Sequence, residues 1–408
     1  MRTLFGASEK VEFCTKCNMS NQRPSSTLEY HHDFSRTHAG YLKFNDEGVC
    51  DACLYCDSKY TTIDWKSRED KLLKVLDKHR KSNGEYDCLV PGSGGKDSVY
   101  ASHILKYKYG MNPLTSTWPP ILYTEYGYKN FLNWINIGGF DNVTLRPSGR
   151  VMRKLTKLSI QNLLHPFQTF ILGQKNMAPK IAKNFGIELI FYGEPETEDG
   201  NPIADTNESL MRNDYYSYKD KDIDKILLGG LSLKELREKH NISFNDISCF
   251  MPLEKDKLSK SKLEFHYFGY YLRWNPQESY YYAVKNTDFQ ARPFRTQGTY
   301  TKYNSIDDKI DDLHYYTTFI KYGFGRTTYD SAQEIRNSHI NKEEGLALIK
   351  KFDGEFPDRY FNEVLDYIDL SKEEFFKLLD KFRPKHLWIK TSNGWKLRHT
   401  ANKDGHDD

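Results

Sequence analysis

The sequence lacks the long apolar stretches of a membrane protein. None of its segments approaches the ~18 uncharged apolar residues that a transmembrane helix requires, and residues 1–10 hold no apolar run of signal-peptide length. The chain also lacks a large excess of charge of either sign, because 59 Lys and Arg residues against 56 Asp and Glu residues leave a net charge of +3. This balance argues against the broad basic face of a dedicated nucleic-acid binder. We therefore expect a soluble, cytoplasmic protein with no membrane span and no nucleic-acid partner.

Aliphatic residues are also few, and aromatic residues compensate for them. Hydrophobic residues make up 38% of the chain, and 24 Phe, 29 Tyr and 6 Trp are among them. Because each buried ring removes roughly 150–250 Å² from water, the composition supports folded cores and excludes wholesale disorder. The length of 408 residues exceeds the ~250 residues that one core usually serves, so two or three domains are expected.

Cysteine is almost absent beyond residue 56. Five of the seven cysteines precede that point or lie at it, and four of them form two C-x-x-C pairs: Cys14, Cys17, Cys50 and Cys53. Such pairs in a large chain without a leader indicate a metal in a reducing compartment, and four thiolates suit a tetrahedral structural Zn²⁺. An iron–sulfur cluster that includes Cys56 and a set of unliganded thiols are the alternatives. Three histidines of the intervening loop compete as ligands: His31, His32 and His38.

Strands alternate with helices from residue 65 to residue 193. An amphipathic helix at 65–79 precedes a short apolar strand at 86–91, and a helix at 98–109 follows a Gly/Ser loop. The same alternation predicts strands at 113–118, 141–146, 187–193 and 263–274, with helices at 128–137 and 151–164. This order predicts an α/β fold with a parallel, doubly wound sheet, in which ligands bind beyond the carboxyl ends of the strands.

The most informative segment, Pro-Gly-Ser-Gly-Gly-Lys-Asp-Ser at 91–98, lies between the first strand and its helix. It is not a Walker A loop, because Val90 stands at the first glycine position and Asp97 at the Ser/Thr position. Its glycines let the backbone approach a polyphosphate, the amides at the helix N-terminus donate to phosphate oxygens, and Ser93 and Ser98 add hydroxyl donors. A glycine-rich turn with Asp97 as a first-turn acid is the alternative without a ligand.

The sequence Ser-Gly-Gly-Lys-Asp-Ser resembles the signature of the PP-loop, or N-type ATP pyrophosphatase, family. The resemblance implies a HUP-like sheet and cleavage of ATP between its α and β phosphates, so that a substrate oxygen becomes adenylated and pyrophosphate leaves. It also implies that Lys96 neutralises the leaving pyrophosphate and that Asp97 holds Mg²⁺ or orients the loop. The nucleotide-binding residues predicted in this way are Ser93, Gly94, Gly95, Lys96, Asp97, Ser98, Gln174, Lys175 and Gly193.

Further segments resemble the N-acetyl sugar amidotransferases, the PseA/WbpG-type enzymes of bacterial surface-glycan pathways. They are spread over nearly the whole chain, at 14–19, 46–53, 86–91, 151–156, 166–176, 191–194, 298–309 and 321–326. The sequence departs from the family in a longer, His-rich segment at 30–38 and in Pro-Gly at 91–92. These departures leave the nucleotide chemistry intact and the identity of the sugar open.

This resemblance implies that an acetamido group on a sugar becomes an acetamidino group. ATP adenylates the amide oxygen, ammonia attacks the imidate carbon, and AMP leaves. The chain has no candidate glutaminase, since residue 2 is Arg and Cys88 lies in a strand. Ammonia is therefore expected from a HisH-like glutaminase and a HisF-like subunit, and the product belongs to lipopolysaccharide O-antigen or to a flagellin nonulosonate such as pseudaminic acid.

Residues of the second half are candidates for the acceptor site. Four cations are predicted to bind the acid group of an N-acetylated acidic sugar or nucleotide sugar, unless they are solvated surface residues: Arg292, Arg295, Lys321 and Arg326. Asp307 and Asp308 either cap a helix or handle protons during ammonia attack. Glu194 follows a strand and is a further catalytic candidate. The aromatic run at 265–282 either stacks on a sugar or packs as a buried strand and helix.

Three parts are predicted: a four-cysteine, zinc-ribbon-like segment that binds zinc at 1–63, a PP-loop ATP pyrophosphatase domain at 64–275, and a mainly helical substrate or partner region at 276–408. The competing hypothesis is a PP-loop enzyme that modifies tRNA, of the thiolase or lysidine synthetase type. It expects a basic tRNA surface and, for thiolation, a catalytic cysteine near the nucleotide. The net charge of +3 and the N-terminal position of the cysteine pairs argue against it.

Overall fold

The computed structural model describes residues 3–25, 40–193, 198, 201, 208–211, 217–218, 223 and 225–401. Its strands, in chain order, are β1 (Cys88–Pro91), β2 (Pro113–Thr117), β3 (Asn142–Thr144), β4 (Leu189–Tyr192), β5 (Ser217–Tyr218), β6 (Leu227–Leu228), β7 (Leu231–Ser232), β8 (Leu253–Glu254), β9 (Glu264–Tyr267), β10 (Trp388–Thr391) and β11 (Gly394–Leu397). None of the helices within these ranges combines the length and the hydropathy that crossing a bilayer demands.

The helices surround the sheet and then continue alone toward the C-terminus. They are α1 (Asp51–Thr61), α2 (Trp65–His79), α3 (Lys96–His103), α4 (Glu125–Asn136), α5 (Gly149–Leu163), α6 (Gln168–Asn184), α7 (Leu233–His240), α8 (Phe244–Ile247), α9 (Lys255–Ser259), α10 (Phe268–Tyr271), α11 (Pro276–Thr287), α12 (Asp311–Tyr322), α13 (Arg326–Arg336), α14 (Lys342–Phe352), α15 (Asp358–Ile368) and α16 (Lys372–Phe382). A π-helical turn, Ile104–Lys108, extends α3.

The central sheet confirms the predicted parallel, doubly wound architecture. Its strand order is β3-β2-β1-β4-β9, and every neighbouring pair is parallel. The chain leaves β1 toward β2 on one side and returns to β4 on the other. The carboxyl end of β1 is therefore the point where the strand order reverses, which is where open α/β sheets form their binding crevice.

Strand β1 shows why the sheet is covered on both faces. Its side chains alternate across the pleat, so Leu89 packs in one core with α5 and α6, whereas Cys88 and Val90 pack in another with α2 and α3. All three residues are fully buried. A continuous apolar run rather than an alternating one is what a central parallel strand requires.

Two predictions of secondary structure differ from the structure. The fifth strand was expected over 263–274, but β9 ends at Tyr267 and the aromatic run continues into the short helix α10 and then α11. Phe265, Phe268 and Tyr271 are buried, so the packing interpretation of this run holds for them. The region after residue 307 is helical as expected until β10 and β11, which form an antiparallel hairpin.

Gly173 allows α6 to lie against the end of β2. A Cβ at this position would fall 2.1 Å from Cζ2 of Trp118, whose side chain is only 2% exposed. We expect Gly173→Ala to destabilise the protein by about 1–3 kcal/mol through overpacking, measured as a lower midpoint of urea unfolding. Gly149→Ala is the matched control, because a Cβ there meets no atom within 4 Å. Equal midpoints for the two variants would contradict this account.

Candidate functional site

The loop between β1 and α3 is held in a shape that only glycine allows. Gly94 has φ +83°, and a Cβ on it would lie 2.7 Å from the Cα of Phe131 in α4. At Gly95 the nearest atom to such a Cβ is 3.7 Å away, so that side of the loop is open. The loop therefore rests its back against α4 and turns its free side, together with the N-terminus of α3, toward open space. A loop of this shape at a helix N-terminus can hold a phosphate chain.

The first of two cavities beside this loop has a volume of about 400 Å³ and extends over β4 and α6. Seven of the nine predicted nucleotide-binding residues line it: Ser93, Gly95, Asp97, Ser98, Gln174, Lys175 and Gly193. Trp118 also lines this cavity and is buried. Its indole Nε1 has no hydrogen-bond partner in the described part of the chain. The cavity lies at the carboxyl ends of β1 and β4, as the fold predicts.

The second cavity, of about 260 Å³, lies on the other side of the loop and is walled by the C-terminal region. Gly94 and Lys96 of the loop line it, and so do Asp307 and Arg326 of the predicted acceptor residues. The rest of its wall includes Trp274 from the aromatic run at 265–282, and Tyr303 and Asn304 from the segment at 298–309. Four further lining residues had no predicted role: Asn130, Asp311, Tyr329 and Gln333. Ser93, Gly95 and Asp97 line both cavities, so the two share the loop as a common wall.

Lys96 and Asp97 stand at this common wall. The Lys96 Nζ lies 2.5 Å from the Asp97 Oδ2, and 5.8 Å from the centre of the Trp274 ring. The other carboxylate oxygen, Oδ1 of Asp97, is buried and has no hydrogen-bond partner among the described residues. A free carboxylate oxygen beside a phosphate cradle fits Mg²⁺, which takes one or two protein carboxylates together with substrate phosphates.

Asp330 of α13 joins the predicted motif at 298–309 to the helix that carries Arg326. Its carboxylate accepts hydrogen bonds from Thr299 Oγ1 at 2.6 Å, from Asn304 Nδ2 at 3.2 Å and from Arg326 Nε at 2.8 Å. The Arg326 Nη1 also donates to the Tyr315 hydroxyl at 3.1 Å. Because Asp330 is only 2% exposed, this network fixes both Arg326 and the motif in the cavity wall.

Asp307 and Asp308 have different surroundings although they are adjacent. Asp307 lines the second cavity, where its Cα would lie 2.3 Å from a Cβ on Gly127 of α4. The Asp308 side chain instead accepts from the backbone N–H groups of Ile121 and Ile310, at 2.5 and 3.0 Å. Burial raises the pKa of Asp308 to about 7. Asp308 therefore holds backbone groups of two segments, but neither aspartate is the N-cap of α12, since that position is Ile310 and has no side-chain cap hydrogen bond.

Several predicted acceptor residues are directed elsewhere. Arg295 forms two 2.6 Å hydrogen bonds to the carboxylate of Glu355. The buried Lys321 donates to the Leu163 carbonyl at 3.1 Å, and Arg292, 1% exposed, does not line either cavity. Glu194 lies outside the described residues. Sequence alone could not reveal the partner of Arg295, because Glu355 comes from a distant segment of the chain.

The four paired cysteines come together in a buried cluster. Their sulfur atoms all lie within 4.8 Å of one another, with 3.8 Å between Cys14 and Cys53 and 3.7 Å between Cys17 and Cys50. A tetrahedral zinc with Zn–S bonds of about 2.3 Å has sulfur–sulfur edges of about 3.8 Å, so the set fits this ion. Cys56 is outside the cluster and donates to the Arg336 carbonyl at 3.1 Å. The loop histidines His31, His32 and His38 lie outside the described residues.

The cysteine cluster is packed against the end of α13. The Arg336 Nη1 lies 3.9 Å from the Cys17 sulfur. The positive guanidinium there offsets the negative charge of ionised cysteine thiols. Lys59 of α1 is fully buried and donates to Asn337, the residue after α13, at 3.0 Å and to Glu198 at 2.8 Å. The cluster therefore positions the C-terminal end of the same helix whose N-terminal half lines the second cavity.

Comparison with known proteins identifies the C-terminal part. Residues 297–401 match the LPS biosynthesis protein WbpG-like, C-terminal domain. An uncharacterised protein of Methanocaldococcus jannaschii is 33% identical over 77 residues, which are 18% of this chain and 26% of that relative. The match thus spans about a quarter of that relative's length.

Solved structures with a similar arrangement have low sequence identity. The NH3-dependent NAD synthetase of Campylobacter jejuni is 14% identical, with 46% of this chain and 77% of that chain covered and a TM-score of 0.28. The NMN synthetase of Francisella tularensis is 12% identical, with coverages of 62% and 93% and a TM-score of 0.27. The U34-tRNA thiolase NcsA of Methanococcus maripaludis, solved with its [4Fe-4S] cluster, is 12% identical, with coverages of 84% and 89% and a TM-score of 0.30.

The cysteine cluster leads to a prediction about metal content. Elemental analysis of the purified protein is expected to give about one zinc per chain. Cys14→Ser and Cys50→Ser should lose the metal and become less soluble, because a structural metal contributes folding free energy. Cys56→Ser is the matched control and should retain the zinc, since Cys56 is buried nearby but is not in the cluster. Iron at cluster stoichiometry, or zinc retained in Cys14→Ser, would contradict the assignment.

Proposed function

We propose that this chain, in which residues 297–401 form a WbpG-like C-terminal domain, is an ATP-dependent amidotransferase that forms AMP and pyrophosphate. Its substrate is an N-acetylated acidic sugar, free or nucleotide-linked, whose acetamido group becomes an acetamidino group. One observation carries the proposal: the phosphate loop is the common wall of two cavities, and the second is lined by residues of the WbpG-like domain, among them Asn304, Asp307 and Arg326. A nucleotide on one side of the loop meets an acceptor on the other.

In this proposal the loop binds the phosphates of ATP, and the first cavity binds the adenosine. The acetamido oxygen of the sugar attacks the α phosphorus, pyrophosphate leaves, and the amide carbon becomes an electrophilic imidate. Lys96 stabilises charge on the departing pyrophosphate, while the unpartnered oxygen of Asp97 holds the Mg²⁺ that accompanies the nucleotide. Activation is required because an amide carbonyl is a poor electrophile.

The second cavity suits a sugar that carries an acid group. Tyr303 and Tyr329 contribute aromatic surface to its wall, although Tyr280 stacks on one face of Tyr303 and Arg326 lies over the Tyr329 ring. The amides of Asn304 and Gln333 offer donors and acceptors to the hydroxyl groups of a pyranose. Arg326 uses Nε and Nη1 within the protein, and its Nη2 has no hydrogen bond within the described ranges. That group is available to a carboxylate. Of the four cations proposed for this purpose, we therefore favour Arg326.

The ammonia supply and the setting of the reaction belong to the same proposal. Separate HisH-like and HisF-like subunits produce ammonia from glutamine, because the chain offers no glutaminase nucleophile. The four cysteines hold a structural zinc, for which thiolates in a reducing cytoplasm are suited. The description of the matched domain supports a proposed product that is used in lipopolysaccharide biosynthesis. The alternative is a product used to make a flagellin nonulosonate such as pseudaminic acid.

The proposed reaction predicts a product lighter by about one mass unit, since NH replaces O. The purified chain is incubated with ATP, Mg²⁺, an ammonium salt and either N-acetylneuraminic acid or a nucleotide-linked N-acetyl uronic acid, and products are followed by mass spectrometry. AMP should form in step with the amidine. Ammonium should support turnover without partners, and glutamine only with them. Formation of AMP driven by tRNA instead of sugar would favour the tRNA-modifying hypothesis.

Loop variants test the assignment of the phosphate site. Lys96→Ala and Asp97→Ala should abolish pyrophosphate release, because each removes a charge at the wall between the two cavities. Lys129→Ala is the matched control, since Lys129 is exposed on α4 and should leave release unchanged. Circular dichroism verifies that all three variants fold. Pyrophosphate release that persists in both loop variants would remove the assignment.

A further inference from the structure

We propose that Asp311 is the base that takes a proton from the attacking ammonia, an inference that rests on the proposed function. Asp311 is the first residue of α12 and lines the second cavity together with Asp307 and the phosphate loop. It follows closely after the Asp307–Asp308 pair that the sequence analysis considered for proton transfer. The geometry assigns the role to Asp311 because Asp308 does not line the cavity, and because Asp311, unlike Asp307, has a buried oxygen without a hydrogen-bond partner among the described residues.

The Asp311 carboxylate is in the cavity wall but is not used by the fold. Its Oδ2 is buried and has no hydrogen-bond partner within the described ranges. Asp308, in contrast, receives backbone N–H groups and does not line the cavity. A buried, unsatisfied acceptor costs free energy, so a fold keeps one chiefly where a ligand supplies the missing donor. In the proposed reaction, the ammonia-derived nitrogen is a donor of this kind.

A buried cation behind this carboxylate supports the assignment. Arg292 is 1% exposed, and none of its three guanidinium nitrogens has a hydrogen-bond partner within the described part of the chain. Its charge acts on both Asp311 and Asp312, where it lowers the pKa of each carboxyl against the effect of burial. Arg292 therefore favours the ionised form of Asp311 through its charge, and it does not line the cavity in which the sugar is proposed to bind.

The net electrostatic environment makes Asp311 a stronger base than an ordinary aspartate. Burial and neighbouring carboxylates raise its pKa well above the usual range, although Arg292 opposes this. The charged and titratable groups that act on it or respond to it are Asp307, Asp308, Asp312, Arg292, Tyr315 and Arg326. A general base is most effective when its pKa approaches the operating pH, so this shift is in the useful direction.

The proton transfer completes a balanced reaction. The imidate is protonated on the sugar nitrogen. Ammonia uses its lone pair to form a C–N bond to the imidate carbon, and the π electrons of the C=N bond move onto the sugar nitrogen. The adduct now carries –NH₃⁺, which has no lone pair and can only return to ammonia. The Asp311 carboxylate accepts one proton and becomes a carboxylic acid. The lone pair of the resulting –NH₂ then expels AMP by breaking the C–O bond, which leaves the amidinium product, and Asp311 releases its proton to solvent.

Asp311→Asn separates this step from adenylation, because it keeps the volume of the side chain and removes the base. Adenylation is measured as sugar-dependent exchange of labelled pyrophosphate into ATP without ammonia, with N-acetylneuraminic acid and a nucleotide-linked N-acetyl uronic acid as probes. We expect Asp311→Asn to retain the exchange and to lose about 10²-fold or more of the amidine formation rate. Hydroxylamine, which is mostly unprotonated at neutral pH and gives a more acidic adduct, should reduce this deficit.

Comparison variants make the outcomes distinct. Asp366→Asn, at an exposed position of α15, should behave as the wild type in both assays. Amidine formation by Asp311→Asn at the wild-type rate would overturn the inference and leave the proposed function intact. Loss of exchange and product together in a folded Asp311→Asn protein, or the expected pattern in Asp307→Asn instead, would also overturn it. A wild-type protein without sugar-dependent exchange would overturn the proposed function, and this inference with it.

Discussion

The carboxylate of Asp330 is the point on which the second cavity depends. It joins Thr299 and Asn304, on the segment before α12, to Arg326 on its own helix. Burying a charge costs free energy unless hydrogen bonds compensate for it, so the partners of Asp330 have little freedom to move independently. Loss of this one group would release the loop that carries Asp307 and the guanidinium that faces the cavity at the same time.

The parallel sheet and the C-terminal helices meet at the loop between β1 and α3, which lines both cavities. Gly94 rests on α4, and α4 in turn touches the loop at Asp307 through Gly127. Two close backbone approaches, each possible only without a Cβ, therefore fix the loop and the Asp307 segment against the same helix. The spacing of these two cavity walls is built into the backbone and does not rely on flexible side chains.

Local patterns explain which parts of this molecule the sequence can predict. The apolar run of β1, the glycines that follow it and the two cysteine pairs act over a few residues, and the predicted sheet, the glycine turn after β1 and the cysteine cluster are accordingly present. Arg295 could not be assigned in the same way, because Glu355 captures it from sixty residues away. Asp311 was missed for a similar reason: its unused oxygen is a property of its surroundings, which only the packing of α12 against the cavity reveals.

The cysteine cluster also has a consequence for biosynthesis. Cys14 and its three partners are translated early, but the apolar cover over them includes Tyr322 and Phe324, and the cation beside them is Arg336. Met19 covers them from the same N-terminal segment, whereas the cover from Tyr322 and Phe324 is added only after most of the chain has been translated. The order of synthesis therefore completes the enclosure of these thiols late.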